Sequence, residues 1–151
     1  MTTPEHMPDT SVTNVHCYEQ LLEGQADTYA WPTLDENDAC ALCYTSGTTG
    51  NPKGATLTHR NVVNNARYIA MAMRLTHEDA LCIPVPLYHC FGMVMGNLAC
   101  LTHAARAIFP DEGFDPNVVL RTVSEEKCTA LHFVPTMFLS LIHISEPTRQ
   151  P

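Results

Sequence analysis

Residues Tyr44 to Gly54, reading YTSGTTGNPKG, gather hydroxyls, glycines and one lysine into a single short loop. Thr45, Ser46, Thr48 and Thr49 offer O–H donors, Gly47, Gly50 and Gly54 let backbone N–H groups come close, and Lys53 supplies a positive point charge. Such a set suits a polyphosphate. It is not the P-loop G-x-x-x-x-G-K-[ST], because Pro52 precedes Lys53 and Gly54 follows it, and no G-x-G-x-x-G dinucleotide fingerprint is present. A plain surface turn rich in Gly, Thr and Ser is the bland alternative. Further along, His89 lies in PLYHCFG, an apolar setting where a lone histidine is more often a core residue satisfied by one hydrogen bond. Cys40 and Cys43 spell C-x-x-C, but no second pair follows at zinc spacing. In a strand their side chains point to opposite faces, so they read as core packing. The eight histidines show no ligand spacing, and no metal site is expected.

These groups need a scaffold, and the chain around them alternates strand and helix signals. Residues 39–44 (ACALCY) form an apolar run of strand length, and Thr58 or His59 opens a helical pattern, which places the phosphate loop between a strand and a helix N-terminus. Val62, Ala66, Ile69, Ala70 and Met73 keep helical spacing. Residues 80–85 read as a buried strand ended by Pro84 and Pro86, residues 91–101 as an apolar helix whose Gly92 and Gly96 invite close approach, and residues 107–109 as a short strand. Asp115 and Pro116 start a helix with Val119, Leu120 and Val123 on one side, and residues 129–134 return to strand. Upstream, residues 15–24 suggest a short helix stopped by Gly24. The pattern predicts the α/β class: a partial, largely parallel sheet layered with helices.

The loop string, followed by TLTHRNVVNN and CIPVPLYHCFGMVMGNL, resembles the AMP-forming adenylating enzymes, the superfamily of acyl-CoA synthetases, beetle luciferases and peptide-synthetase adenylation domains. The likeness is closest to fatty-acyl-CoA ligases and runs from about Trp31 to Phe138. It implies the large N-terminal domain of an acyl-adenylating enzyme that uses ATP, Mg2+ and coenzyme A. Such an enzyme joins a fatty acid to AMP, releases pyrophosphate, and passes the acyl group to the coenzyme A thiol. The phosphate-binding loop would move with pyrophosphate release. By the same resemblance His89 lines the acyl pocket beside the reacting carboxylate and is the catalytic candidate. Phe91, Met93 and Met95 nearby have side chains suited to an acyl tunnel, although such residues are ordinarily just core. An amino-acid-activating domain needs an acid near here to pair with the substrate ammonium, and from Leu87 to Met95 there is none. That leaves a peptide-synthetase adenylation domain, or a non-catalytic phosphate-binding remnant, as the alternatives.

Enzymes of this superfamily are several times longer. The chain is therefore expected to be a fragment, without the magnesium-orienting acid, ribose-binding aspartate, hinge and catalytic lysine, and not to turn over by itself. Residues 1–30 read as an acidic, partly disordered or short-helical lead, 31–138 as a partial AMP-binding domain, and 139–151 as a non-native tail. The string LSLIHISEPTR within that tail resembles a translated sequencing adapter, although Leu139 and Ile142 could also extend a helix beginning near Pro135. The stretch YEQLLEGQADTYAWPTLDEN resembles one branch of the ligases and the following motifs another, which a misjoined gene or ordinary divergence would each explain.

Charge narrows the partners. The net charge of −8 is carried by eight acids in the first forty residues, which hold no Lys or Arg, and Lys53 and Lys127 are the two lysines of the chain. No basic cluster offers a nucleic-acid footprint. Seven cysteines, an odd number scattered through apolar segments, suit a reducing cytoplasm, and no apolar run reaches the length of a membrane span. Oligomeric state is not readable.

Overall fold

The structure, a computed structural model, describes residues 3–45 and 50–145. The chain divides between Leu34 and Asp35 into two compact units. The first holds a 3-10 turn at Pro4–His6 and helix α1 at Tyr18–Leu22, and the rings of Tyr29 and Trp31 meet edge to face at 5.0 Å. The helix is shorter than the stretch 15–24 suggests. Cys17 provides no side-chain cap, Gly24 turns left-handed at φ 73°, and Leu21 and Leu22 stay about half exposed, so little burial supports a longer one.

The second unit opens with strands β1 (Ala39–Thr45) and β2 (Lys53–Thr58), paired antiparallel with Leu42 opposite Thr56 and Thr45 opposite Lys53. Here the structure corrects the sequence. The phosphate loop joins two strands of a hairpin rather than a strand and a helix, because Ala55 and Leu57 alternate with Thr56 and Thr58, a weak period-2 pattern. Cys40 and Cys43 are also exposed on this hairpin, not packed in a core.

Helix α2 (His59–Met73) starts at Thr58 with a capping box. Thr58 Oγ1 accepts from the Asn61 N–H, and Asn61 Oδ1 accepts from the Thr58 N–H, both at 3.2 Å. It ends at Arg74, left-handed at φ 58°. Three parallel strands follow, β3 (Ala80–Cys82), β4 (Arg106–Ile108) and β5 (Ala130–Leu131), in the order β4-β3-β5. The strands end sooner than their apolar runs because Pro84 and Pro135 are near, yet Ile83 N–H still reaches Ile108 O at 2.8 Å and His132 N–H reaches Cys82 O at 2.9 Å.

Between β3 and β4 the chain winds as a π-helix over Phe91–Leu98 and tightens into α3 (Ala99–His103). Gly92 is forced: a Cβ there would stand 2.4 Å from Pro86 O. Helix α4 (Pro116–Glu125) begins as the sequence predicts, with the Asp115 carboxylate accepting from the Asn117 and Val118 N–H groups at 2.8 and 3.3 Å.

Helix α5 (Pro135–Ser145) runs through the start of LSLIHISEPTR, and the remainder of that string, from Glu146, lies outside the described residues. The sheet is covered on both faces. Leu81 and Ile83 pack with Ala70, Leu75, Ala99 and Cys100, whereas Cys82, pointing the other way, packs with Val119 and Leu141. Helices α2 and α3 thus lie on one side and α4 and α5 on the other; a parallel sheet layered with helices is the expected α/β class, and the covering of both faces is what the structure adds. Among the described residues no helix is long and apolar enough to cross a membrane.

Candidate functional site

All three parallel strands discharge their connections at one end of the sheet, and β3 sends its chain toward β4 while β4 sends its chain back past β3 to β5. Between β3 and β5 the connections diverge, which leaves a crevice at the strands' carboxyl ends, where open α/β sheets hold ligands. A cavity of about 510 Å³ lies there, walled by Val85, His89, Phe91, Phe114, Val134 and Met137. An adjoining one of about 590 Å³ shares Val85, Phe114 and Met137 and adds Leu87, Phe109, Asp111 and Glu112.

His89 stands at the mouth of the first cavity, held by its own chain. Its Nδ1 lies 3.1 Å from the Phe91 N–H and 3.8 Å from Cys90 Sγ, while its backbone N–H donates to Pro86 O at 3.3 Å. A backbone N–H can only donate, so Nδ1 is the acceptor and, in the neutral ring, Nε2 carries the hydrogen. That hydrogen is a directed donor for an anionic oxygen. Of the three residues expected to line a tunnel, Phe91 walls the cavity, whereas Met93 and Met95 line neither of these two.

Of the phosphate-loop candidates, Thr45, Gly50 and Lys53 are described, while Ser46, Gly47, Thr48 and Thr49 lie outside the described residues. Thr45 and Lys53 face each other across the hairpin, and Thr45 Oγ1 donates to Lys53 O at 3.5 Å. Gly50 sits at φ 90°, a conformation side chains resist. The N-terminus of α2 does not serve the loop. His59 N–H goes to Asp38 O, Arg60 N–H to Glu36 O and Asn61 N–H to Thr58 Oγ1, so its free donors are largely occupied. An exposed ion pair, Arg60 with Glu36, reinforces that closure. Among the described residues no hydrogen bond or ion pair links the loop to His89.

Two features escaped the sequence reading. Asp111 and Glu112 come from the connection after β4, not from the stretch 87–95 where an acid was sought, and they rim the second cavity. His132 is buried behind the first, its Nδ1 without a partner, and burial pulls its pKa below the ordinary histidine value. Its signal in the sequence is no more than a histidine inside the apolar strand run 129–134, without metal spacing to any other histidine. Among the described residues no three His, Cys, Asp or Glu side chains gather to hold a metal.

The sequence profile of a family described as AMP-binding enzyme matches residues 3–150. The chain is 55% identical over 115 residues to the acyl-CoA ligase SID4 of Ajellomyces capsulatus, covering 76% of this chain and 20% of that protein. It is 49% identical over 138 residues to the putative acyl-CoA synthetase YngI of Bacillus subtilis, covering 91% and 24%. Its fold matches the crystal structure of ATP-bound MatB from Rhodopseudomonas palustris with a TM-score of 0.74 at 29% identity, over 85% of this chain and 25% of that one. The chain thus spans about a fifth to a quarter of the length of these proteins. Profile, relatives and fold agree, and the chain belongs to the AMP-binding enzyme family.

Proposed function

We propose that the chain forms the polyphosphate grip and the acyl crevice of an AMP-forming ligase that joins a fatty acid to coenzyme A. The carboxylate attacks the α-phosphorus of ATP, pyrophosphate departs, and the acyl group passes from AMP to the coenzyme A thiol. The observation that carries this reading is His89 presenting an Nε2 donor at the mouth of an apolar cavity. In that place the donor orients the attacking carboxylate while Phe91, Phe114, Val134 and Met137 take the hydrocarbon. Phosphoryl chemistry asks chiefly for placed charge and donors, which the hydroxyls of Thr45, Ser46, Thr48 and Thr49, the amides near Gly47 and Gly50, and Lys53 offer to the β and γ phosphates.

The first cavity, walled by apolar side chains beside His89, supports a fatty acid over an amino acid, while Asp111 and Glu112 rim only the adjoining one. Ligase relatives and an ATP-bound structural neighbour support the nucleotide assignment. Free thiols at Cys40, Cys43, Cys82, Cys90, Cys100 and Cys128 fit a cytoplasmic setting.

ATP–pyrophosphate exchange by the full-length ligase tests the reading. Exchange driven by fatty acids and not by amino acids is expected, and exchange driven by amino acids would overturn the substrate class. The 151-residue chain alone is expected to bind ATP without turning it over, and turnover by it would refute that division of labour.

A further inference from the structure

We propose that His132 is a positioning residue for His89, acting through Phe91, whose ring meets His132 and whose backbone N–H meets His89. The proposal rests on the reading that His89 meets the substrate carboxylate. His132 leaves the end of β5 and is 7% exposed. Its Nε2 lies 3.4 Å from Met73 Sδ on α2, and because a thioether sulfur can only accept, Nε2 carries the hydrogen and Nδ1 is a bare lone pair. The ring rests against Phe91 with centroids 4.8 Å apart and planes tilted by 32°. Phe91, in turn, sends its N–H to His89 Nδ1 at 3.1 Å. Met73, His132, Phe91 and His89 therefore form one continuous contact path from helix α2 to the mouth of the cavity.

The histidine is not the cheapest way to fill this space. Its Nδ1 is buried with no partner, a cost that phenylalanine would avoid while keeping the ring contact. What phenylalanine would lose is the peg to Met73, which fixes the rotation of the ring and hence the seat of Phe91. Burial disfavours the imidazolium form and pulls the pKa of the ring below the ordinary histidine value.

Amide hydrogen exchange on the 151-residue chain reads the Phe91 N–H directly, with no substrate present. His132→Ala is expected to speed exchange at Phe91 by about tenfold beyond any change at Leu81 or Val119, since local opening is seen separately from global unfolding. Met73→Leu keeps the volume and removes the acceptor, and is expected to raise Phe91 exchange a few-fold alone, which serves should His132→Ala not fold. An unchanged Phe91 rate, or a rise equal at all three amides, in whichever variant folds would overturn the proposal. Titration of the same chain with octanoate, followed by the His89 ring nitrogen resonances, tests the underlying reading separately. Local opening at Phe91 without an octanoate response at His89 would sink the carboxylate role alone, and an octanoate response without local opening would sink the positioning role alone.

Discussion

At the mouth of the phosphate loop Lys53 stands exposed across from Thr45, and its contribution is a charge rather than a shape. Charge-assisted hydrogen bonds are worth about 1.5–3 kcal/mol, so Lys53→Ala is expected to weaken ATP binding by roughly tenfold to a hundredfold, measured by calorimetry, while leaving the unfolding midpoint unmoved. His132 makes the opposite kind of prediction. Burial lowers its folded pKa beneath the unfolded value of 6.5, so as pH falls through that value the unfolded chain takes up a proton that the folded one refuses. Stability is full above that range and is lost toward the lowered folded pKa, with a slope approaching about 1.4 kcal/mol per pH unit. Urea unfolding between about pH 7.5 and 5.5 should show this loss in the native chain and less of it in His132→Phe. The proposed loop residues stand out in the sequence because so many hydroxyls and glycines lie side by side with one lysine. His132 was not, because its surroundings come from α2, β5 and the π-helix, which only folding brings together.

Among the elements, the π-helix depends on one missing side chain. Gly92→Ala would press a methyl to 2.4 Å from Pro86 O, so a loss of about 1–3 kcal/mol is expected in denaturant unfolding, as for overpacking elsewhere. Gly113→Ala is the matched control, since nothing lies within 4 Å of the added atom, and its effect should stay within about 0.5 kcal/mol. The capped helices α2 and α4 were readable from Thr58 and from Asp115-Pro116, because capping is local chemistry. Strand β2 was not. KGATLT carries one glycine, one alanine, two threonines and a single leucine in weak alternation, and only pairing with β1 across the loop makes it a strand.

For the molecule as a whole, the two faces of the sheet carry separate cores, one under α2 and α3 and the other under α4 and α5. Leu141, 5% exposed, belongs to the second with Cys82 and Val119. Leu141→Ala is expected to cost about 2–3 kcal/mol by urea unfolding, and a cost near zero would show that the helix past Phe138 adds nothing to the core. Alternation of strand and helix was legible from apolar runs punctuated by proline and glycine, whereas the order β4-β3-β5 was not, since pairing between distant segments leaves no mark in either one. Val85, Phe91 and Met137 join the cavity to the first core and Phe114 joins it to the second, whereas Phe109, Asp111, Glu112 and Gly113 belong to neither, so that short stretch is the exchangeable part of the wall. Grafting a foreign 109–113 segment that keeps Phe114 should retune which acids are accepted and leave the melting temperature close to that of the parent.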